Sequence, residues 1–208
     1  MAQLRELASR QQPGPARIRF EQIGSYNRVG NRIAAGSGLR GVQLNILAYL
    51  LEYEDGKSVL IGGGITRSSA KALELEAYSP QAQARVVTAL AHADKLVPLV
   101  PSPDQLGGLH MLEGSEQARL LSADFAKQQQ ADANGEAYPV APGIVVVPTP
   151  GLNSGARLVF VRMAGGKEFL FAGDLAQINQ SWSELRLQPD SLLISESSKI
   201  AAQSARGC

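Results

Sequence analysis

Residues 47–64 read LAYLLEYEDGKSVLIGGG. An apolar run halts at Glu54-Asp55-Gly56-Lys57, resumes as Ser58-Val59-Leu60-Ile61, and stops at Gly62-Gly63-Gly64. Asp-Gly between two such runs signals a hairpin, because its tight turn needs a residue at positive φ. The reading is one strand over Val42 to Tyr53 and an antiparallel return over Ser58 to Ile61. Downstream, Ser68 to Glu76 has helical composition, and Pro80 to Ala93 sets Val86, Val87 and Leu90 at helical spacing.

The same grammar continues. Leu96 to Val100 is expected as a short buried strand and Pro101-Ser102-Pro103-Asp104 as a loop. Gly107-Gly108 then leads into a helical stretch to about Gln130, and the polar run Lys127 to Glu136 reads as an exposed helix end and loop. Ile144 to Val147 is a strand, Pro148 to Gly155 a Pro/Gly loop, and Arg157 to Met163 with Glu168 to Phe171 a second hairpin that ends at Gly173-Asp174. A helical turn follows, and Ser191 to Ser195 is a last strand. Upstream, residues 1–12 read as a helix stopped by Pro13-Gly14-Pro15, Arg17 to Ile23 as a strand, and Gly24 to Gly41 as a long loop. Two β-rich halves, each followed by helices, imply an α/β protein with two stacked mixed sheets and helices on the outer faces.

Bulk composition excludes little. The 208 residues are 44% hydrophobic and 19% charged with net charge +1, as in an ordinary globular domain. Cys208 is the one cysteine, so an internal disulfide and a cysteine-rich zinc site are ruled out. No apolar run is long enough to span a membrane. Met1 to Gln12 lacks a leader's apolar stretch, so a cytoplasmic address is the default, and a periplasmic one if a leader has been removed. Residues 1–40 hold seven arginines (Arg5, Arg10, Arg17, Arg19, Arg28, Arg32, Arg40) against Glu6 and Glu21. They are scattered without a nucleic-acid motif, so residues 1–41 read as a solvated basic arm packed on a main domain over 42–208, and nucleic acid is not the expected partner.

Over residues 42–196 the order of these pieces resembles the metallo-β-lactamase superfamily. The 47–64 hairpin is similar to that family's opening hairpin, which usually ends in Asp-Thr-Gly or Asp-Gly-Gly. Val100 with PSPDQLGGL (101–109) resembles His-x-His-x-Asp-His-x-Gly-Gly-Leu. PTPGLNSG (148–155) resembles Thr-Pro-Gly-His-Thr-Pro-Gly, and Leu158 to Leu175 the hairpin ending in Gly-Asp. The resemblance implies an αββα sandwich. It also implies zinc or iron held by imidazoles and carboxylates, which lowers the pKa of bound water toward 7 for attack on a carbonyl or phosphoryl centre.

Carried across residue by residue, most of that metal site is missing. The family's histidines fall on Val100, Ser102, Gln105 and Leu152 (beside Asn153), and the last near Ser195 or Glu196. Asp104 and Asp174 stand where the family has aspartates, so two of seven ligand positions are clearly retained. Gly62 replaces the hairpin's structural aspartate. A competing register, Leu90-Ala91-His92-Ala93-Asp94-Lys95, matches one histidine and the aspartate but lacks Gly-Gly and follows a helix, so the Pro101 register is favoured.

The resemblance thus implies a pseudoenzyme with a dismantled site that acts by binding or assembly and needs no cofactor. One alternative is a divergent ester, lactone or phosphodiester hydrolase with zinc, iron or manganese on a reduced site at Asp104, Asp174 and Glu196; weak Mg²⁺ or Ca²⁺ binding there is a variant of it. Another is a small-molecule or phosphate-binding module built on Gly62, Gly63, Gly64, Thr66 and Arg67, although these match neither Gly-x-x-x-x-Gly-Lys-Ser/Thr nor Gly-x-Gly-x-x-Gly. Ser102 has no base evident in sequence. His92 reads as a helix-end residue and His110 as lying just inside the helix after Gly-Gly, and Asp104 and Asp174 equally as helix-cap or turn carboxylates. A homodimer or another protein partner is compatible with the superfamily, and no membrane partner is expected.

Overall fold

A computed structural model describes residues 1–149, 155–178, 181, 183 and 184. The 47–64 stretch folds as its pattern requires. β2 (Gly41–Glu52) turns through Gly56, at φ +86°, into β3 (Ser58–Ile61), with Tyr49 opposite Ile61 and Glu52 opposite Ser58. β1 (Arg17–Val29) flanks β2 on its other side in antiparallel register, broken by a bulge between Gln22 and Gly24. With β4 (Ala77–Tyr78) and β5 (Lys95–Val97), which runs parallel to β3, they form a five-stranded sheet in the order β4-β1-β2-β3-β5. The second sheet is a four-stranded meander: β6 (Tyr138–Ala141), β7 (Ile144–Pro148), β8 (Arg157–Arg162) and β9 (Glu168–Phe171).

Three apolar layers hold the stack. Leu51, Val59, Ile61 and Val97 of the first sheet meet Ile144, Val146, Val159 and Val161 of the second. The first sheet's other face (Ile46, Ala48, Leu60, Leu96) is covered by Val86 and Leu90 of α4 (Pro80–Leu90) and Leu121 of α6 (Glu116–Asp132). On the far face of the second sheet, Val145 and Phe160 pack on Leu7 and Ala8 of α1 (Ala2–Ser9). Helices therefore lie on both outer faces of two sheets, an αββα sandwich. The central strands are apolar on both faces because each face has its own cover.

The helices start where their caps dictate. Thr66 accepts from the Ser69 N–H at the head of α3 (Arg67–Ala72), Ser79 from Ala82 before α4, and Ser115 from Ala118 before α6. α2 (Gly30–Ile33) is a single turn.

Several expectations are corrected. The long loop expected from Gly24 is strand as far as Val29, because β2 offers a pairing edge along its whole length. Residues 17–29 are thus part of the first sheet, and Arg5, Arg10 and Arg19 are ion-paired to Glu168, Glu6 and Glu52. Gly107-Gly108 does not precede a helix but lies inside α5 (Pro103–Met111), which starts at Pro103. The strand after α4 covers Lys95–Val97, one residue earlier at its start and three shorter at its end than expected. β4 and β6 were not legible as strands. The run after Lys127 is not all exposed, because Gln128 is buried at 4% and α6 continues to Asp132. The strand expected over 191–195 lies outside the described residues.

Candidate functional site

The Gly62 turn and α5 build one corner of the site together. Gly62 and Gly64 sit at φ +77° and +70°, a region that favours glycine. The N–H groups of Gly107 and Gly108 donate to the carbonyls of Gly64 and Gly63, both at 2.8 Å, and the Gly63 N–H donates to the Gln105 carbonyl at 2.6 Å. A Cβ on Gly107 would lie 2.5 Å from the Ile65 Cα, and one on Gly108 2.5 Å from the Gly63 carbonyl oxygen. The Gly-Gly pair is therefore a contact surface between helix and turn.

That packing leaves the turn little to offer a phosphate. Gly62 N–H donates to the Val97 carbonyl, and Ile65 N–H to Oε1 of buried Gln83 at 2.8 Å. Thr66 spends its hydroxyl as the α3 cap, while Arg67 is exposed. The three glycines are buried under α5, and none of Gly62, Gly63, Gly64, Thr66 and Arg67 lines the neighbouring cleft.

Beside this corner lies a cleft of about 370 Å³, between β2, the start of α5, and the chain leaving β9. Asp104, Gln105 and Asp174 line it, whereas Val100 and Ser102 do not. Leu152, Asn153 and Glu196 lie outside the described residues. Asp104 sits in the first turn of α5. Asp174, in a 3-10 turn (Gly173–Ala176), accepts from the Gln177 carboxamide at 2.7 Å. The Gln105 side chain turns back to the backbone, its Oε1 accepting the Leu99 N–H at 3.3 Å. The remaining walls were not foreseen: Tyr26, Gln43 and Asn45 on one side, Tyr49 and Phe171 in edge-on ring contact, and Gln177. Burial holds the Tyr49 hydroxyl above its ordinary pKa. The signal available in sequence was the alternation Val42-Gln43-Leu44-Asn45-Ile46, which sets two carboxamides on one face of an otherwise apolar strand.

A water-activating cation needs several N, O or S donors around an open position. Among the described residues no three of His, Cys, Asp and Glu lie close enough to hold an ion. His92 and His110 are exposed and neither lines the cleft. In the competing register, Asp94 is tied to the strand, accepting the Ser58 N–H at 2.7 Å. Ser102 heads α5 without a side-chain cap bond, and no base hydrogen-bonds its hydroxyl among the described residues.

No family model matches the chain, and no curated protein matches it in sequence. Solved structures do. A quorum-quenching N-acyl homoserine lactone lactonase aligns over 93% of this chain and 89% of its own with a TM-score of 0.64 at 13% identity. An N-acyl homoserine lactone hydrolase, with the product N-hexanoyl-L-homoserine bound at its catalytic metal centre, aligns over 93% and 90% with a TM-score of 0.64 at 14% identity. A probable metal-dependent hydrolase from Staphylococcus aureus aligns over 79% and 74% with a TM-score of 0.55 at 12% identity. Together with the layer order and the glycine-lined corner, these likenesses establish that the chain carries the metallo-β-lactamase fold.

Proposed function

We propose that this protein is a pseudoenzyme that binds a ligand in the cleft beside Asp104, Gln105 and Asp174 and does not hydrolyse it with metal-activated water. The donor set carries this reading. Where the family's imidazoles are expected, the Val100 side chain has no donor atom, Ser102 stands outside the cleft, and the Gln105 carboxamide oxygen already accepts the Leu99 N–H. Among the described residues Asp104 and Asp174 remain, and two carboxylates leave a divalent ion short of ligands. Metal analysis of the purified chain, paired with assays on ester, lactone and phosphodiester substrates, tests it. The expectation is substoichiometric zinc, iron and manganese and no turnover with any of them added. Stoichiometric metal with metal-dependent turnover would overturn it.

The second reading is a divergent metallo-hydrolase using Asp104, Asp174 and Glu196. It is favoured by the fold's likeness to lactonases and a metal-dependent hydrolase, and by Asp104 and Asp174 lining one cleft. It predicts that Asp174→Asn abolishes a metal-dependent activity that the parent possesses.

A further inference from the structure

Among the described residues, the β2 wall of the cleft is an open strand edge. In an antiparallel ladder, alternate residues turn both N–H and C=O to opposite sides of the strand. Tyr53 N–H donates to the Lys57 carbonyl, so the odd-numbered residues of β2 face β3, while Glu52, whose carbonyl accepts the Ala16 N–H, shows that the even-numbered ones face β1. β3 ends at Ile61 opposite Tyr49, and at Gly62 the chain turns away to pair with Val97. Leu47 still has this corner beside it, its carbonyl oxygen 3.1 Å from where a Gly62 Cβ would stand. Beyond it, the main-chain groups of Gln43 and Asn45 project toward the cleft, both residues are exposed, and no described residue pairs with their backbone on that side.

We propose that an extended peptide segment carrying a basic residue docks here as an added strand against Gln43 and Asn45. The inference deepens the binding reading above. Donor and acceptor pairs two residues apart repeat at about 6.8 Å, which is the repeat of an extended peptide. Open edges are normally blunted by charge, proline or a bulge. Where β1 runs beyond the two-residue β4, it has such protection, with Arg17, Arg19, Glu21 and the bulge at Gln22/Gly24. Gly41–Leu47 has neither charge nor proline. Among the described residues, the charged ones lining the cleft are Asp104 and Asp174, which select a cationic side chain, and Leu99, Leu170 and Phe171 offer apolar contact to its neighbours.

The test titrates the ¹⁵N-labelled chain with blocked heptapeptides of alternating Thr and Val bearing a central Lys. The expected result is saturable shifts of the Gln43 and Asn45 amides, with binding weakened about tenfold or more when alternate peptide nitrogens are methylated. Replacing the central Lys with Glu should weaken binding comparably. Asn45→Pro removes one cleft-side donor and leaves the ladder to β1 intact, so it should weaken binding also; N-methylation provides the same information on the unaltered protein. Equal affinity for methylated and unmethylated peptides, or no binding of the Lys series at millimolar concentration, overturns the inference. A metal-free, inactive chain that ignores these peptides sinks peptide docking alone, whereas metal-dependent turnover sinks the pseudoenzyme reading alone.

Discussion

Arg157→Met should be among the most damaging single substitutions in the molecule. The Arg157 side chain is 2% exposed, between α6 and the second sheet. Its Nε donates to Asp132 Oδ2 at 2.7 Å, Nη2 pairs with the same carboxylate, and Nη1 donates to Gln128 Oε1 at 3.0 Å. The guanidinium also lies 5.1 Å from the centre of the Phe125 ring. Methionine fills much of the volume but leaves Asp132, only 12% exposed, with the Tyr138 hydroxyl as its remaining partner among these contacts. Breaking one side of a buried ion pair costs about 3–5 kcal/mol. Because the Asp132 side chain keeps that hydroxyl and some exposure, the lower end, about 3 kcal/mol, is expected. For a chain of this size that corresponds to a fall in Tm of roughly 6–12 °C. Urea unfolding is the assay, with the midpoint falling and the slope unchanged. Adding Asp132→Leu should recover most of the loss, since the stranded charge goes with it. A single variant within about 0.5 kcal/mol of the parent, or a double variant no better than the single, would refute the argument.

Gly107→Ala should destabilise even though alanine favours helix by about 1 kcal/mol over glycine. Its Cβ would meet backbone on the Gly62 turn at 2.5–2.6 Å, so the loss should reach or exceed the roughly 1–3 kcal/mol of ordinary overpacking; a raised urea midpoint would show that the helix can move. Acid should destabilise through Glu21, Glu52 and Glu168, whose hydrogen bonds to Arg85, Arg19 and Arg5 hold their carboxyls below the ordinary 4.5. Because the folded pKa is the lower one, their contribution is complete above about pH 4.5 and disappears as pH falls through the folded values. Changing all three to Gln should flatten that part of the stability–pH curve, and an unchanged curve would exclude these pairs as its source.

The sequence by itself determined the elements whose signals are local. Asp55-Gly56 fixed the β2–β3 hairpin to the residue at β3, and the Ile144–Val147 and Arg157–Met163 runs declared the second sheet's centre. Those strands are covered on both faces, so their composition alone is diagnostic. The fold followed from the order of those pieces. The absence of imidazole at Val100, Ser102 and Gln105 was likewise legible, because a residue type is a fact of sequence.

What only the tertiary structure decided depends on partners distant along the chain. Gly24 to Val29 is strand because β2 pairs with it, and α5 starts at Pro103 with its Gly-Gly pair pressed on the Gly62 turn. The polar run after Lys127 contributes Gln128 and Asp132 to a buried network because Arg157 arrives from the second sheet, 25 residues beyond Asp132. The cleft itself is defined by β2 outlasting β3, which leaves Gln43 and Asn45 without a neighbour on one side among the described residues. A pattern of residues records which face of a strand is buried; where its neighbouring strand stops depends on the path of another segment, and no local propensity encodes that.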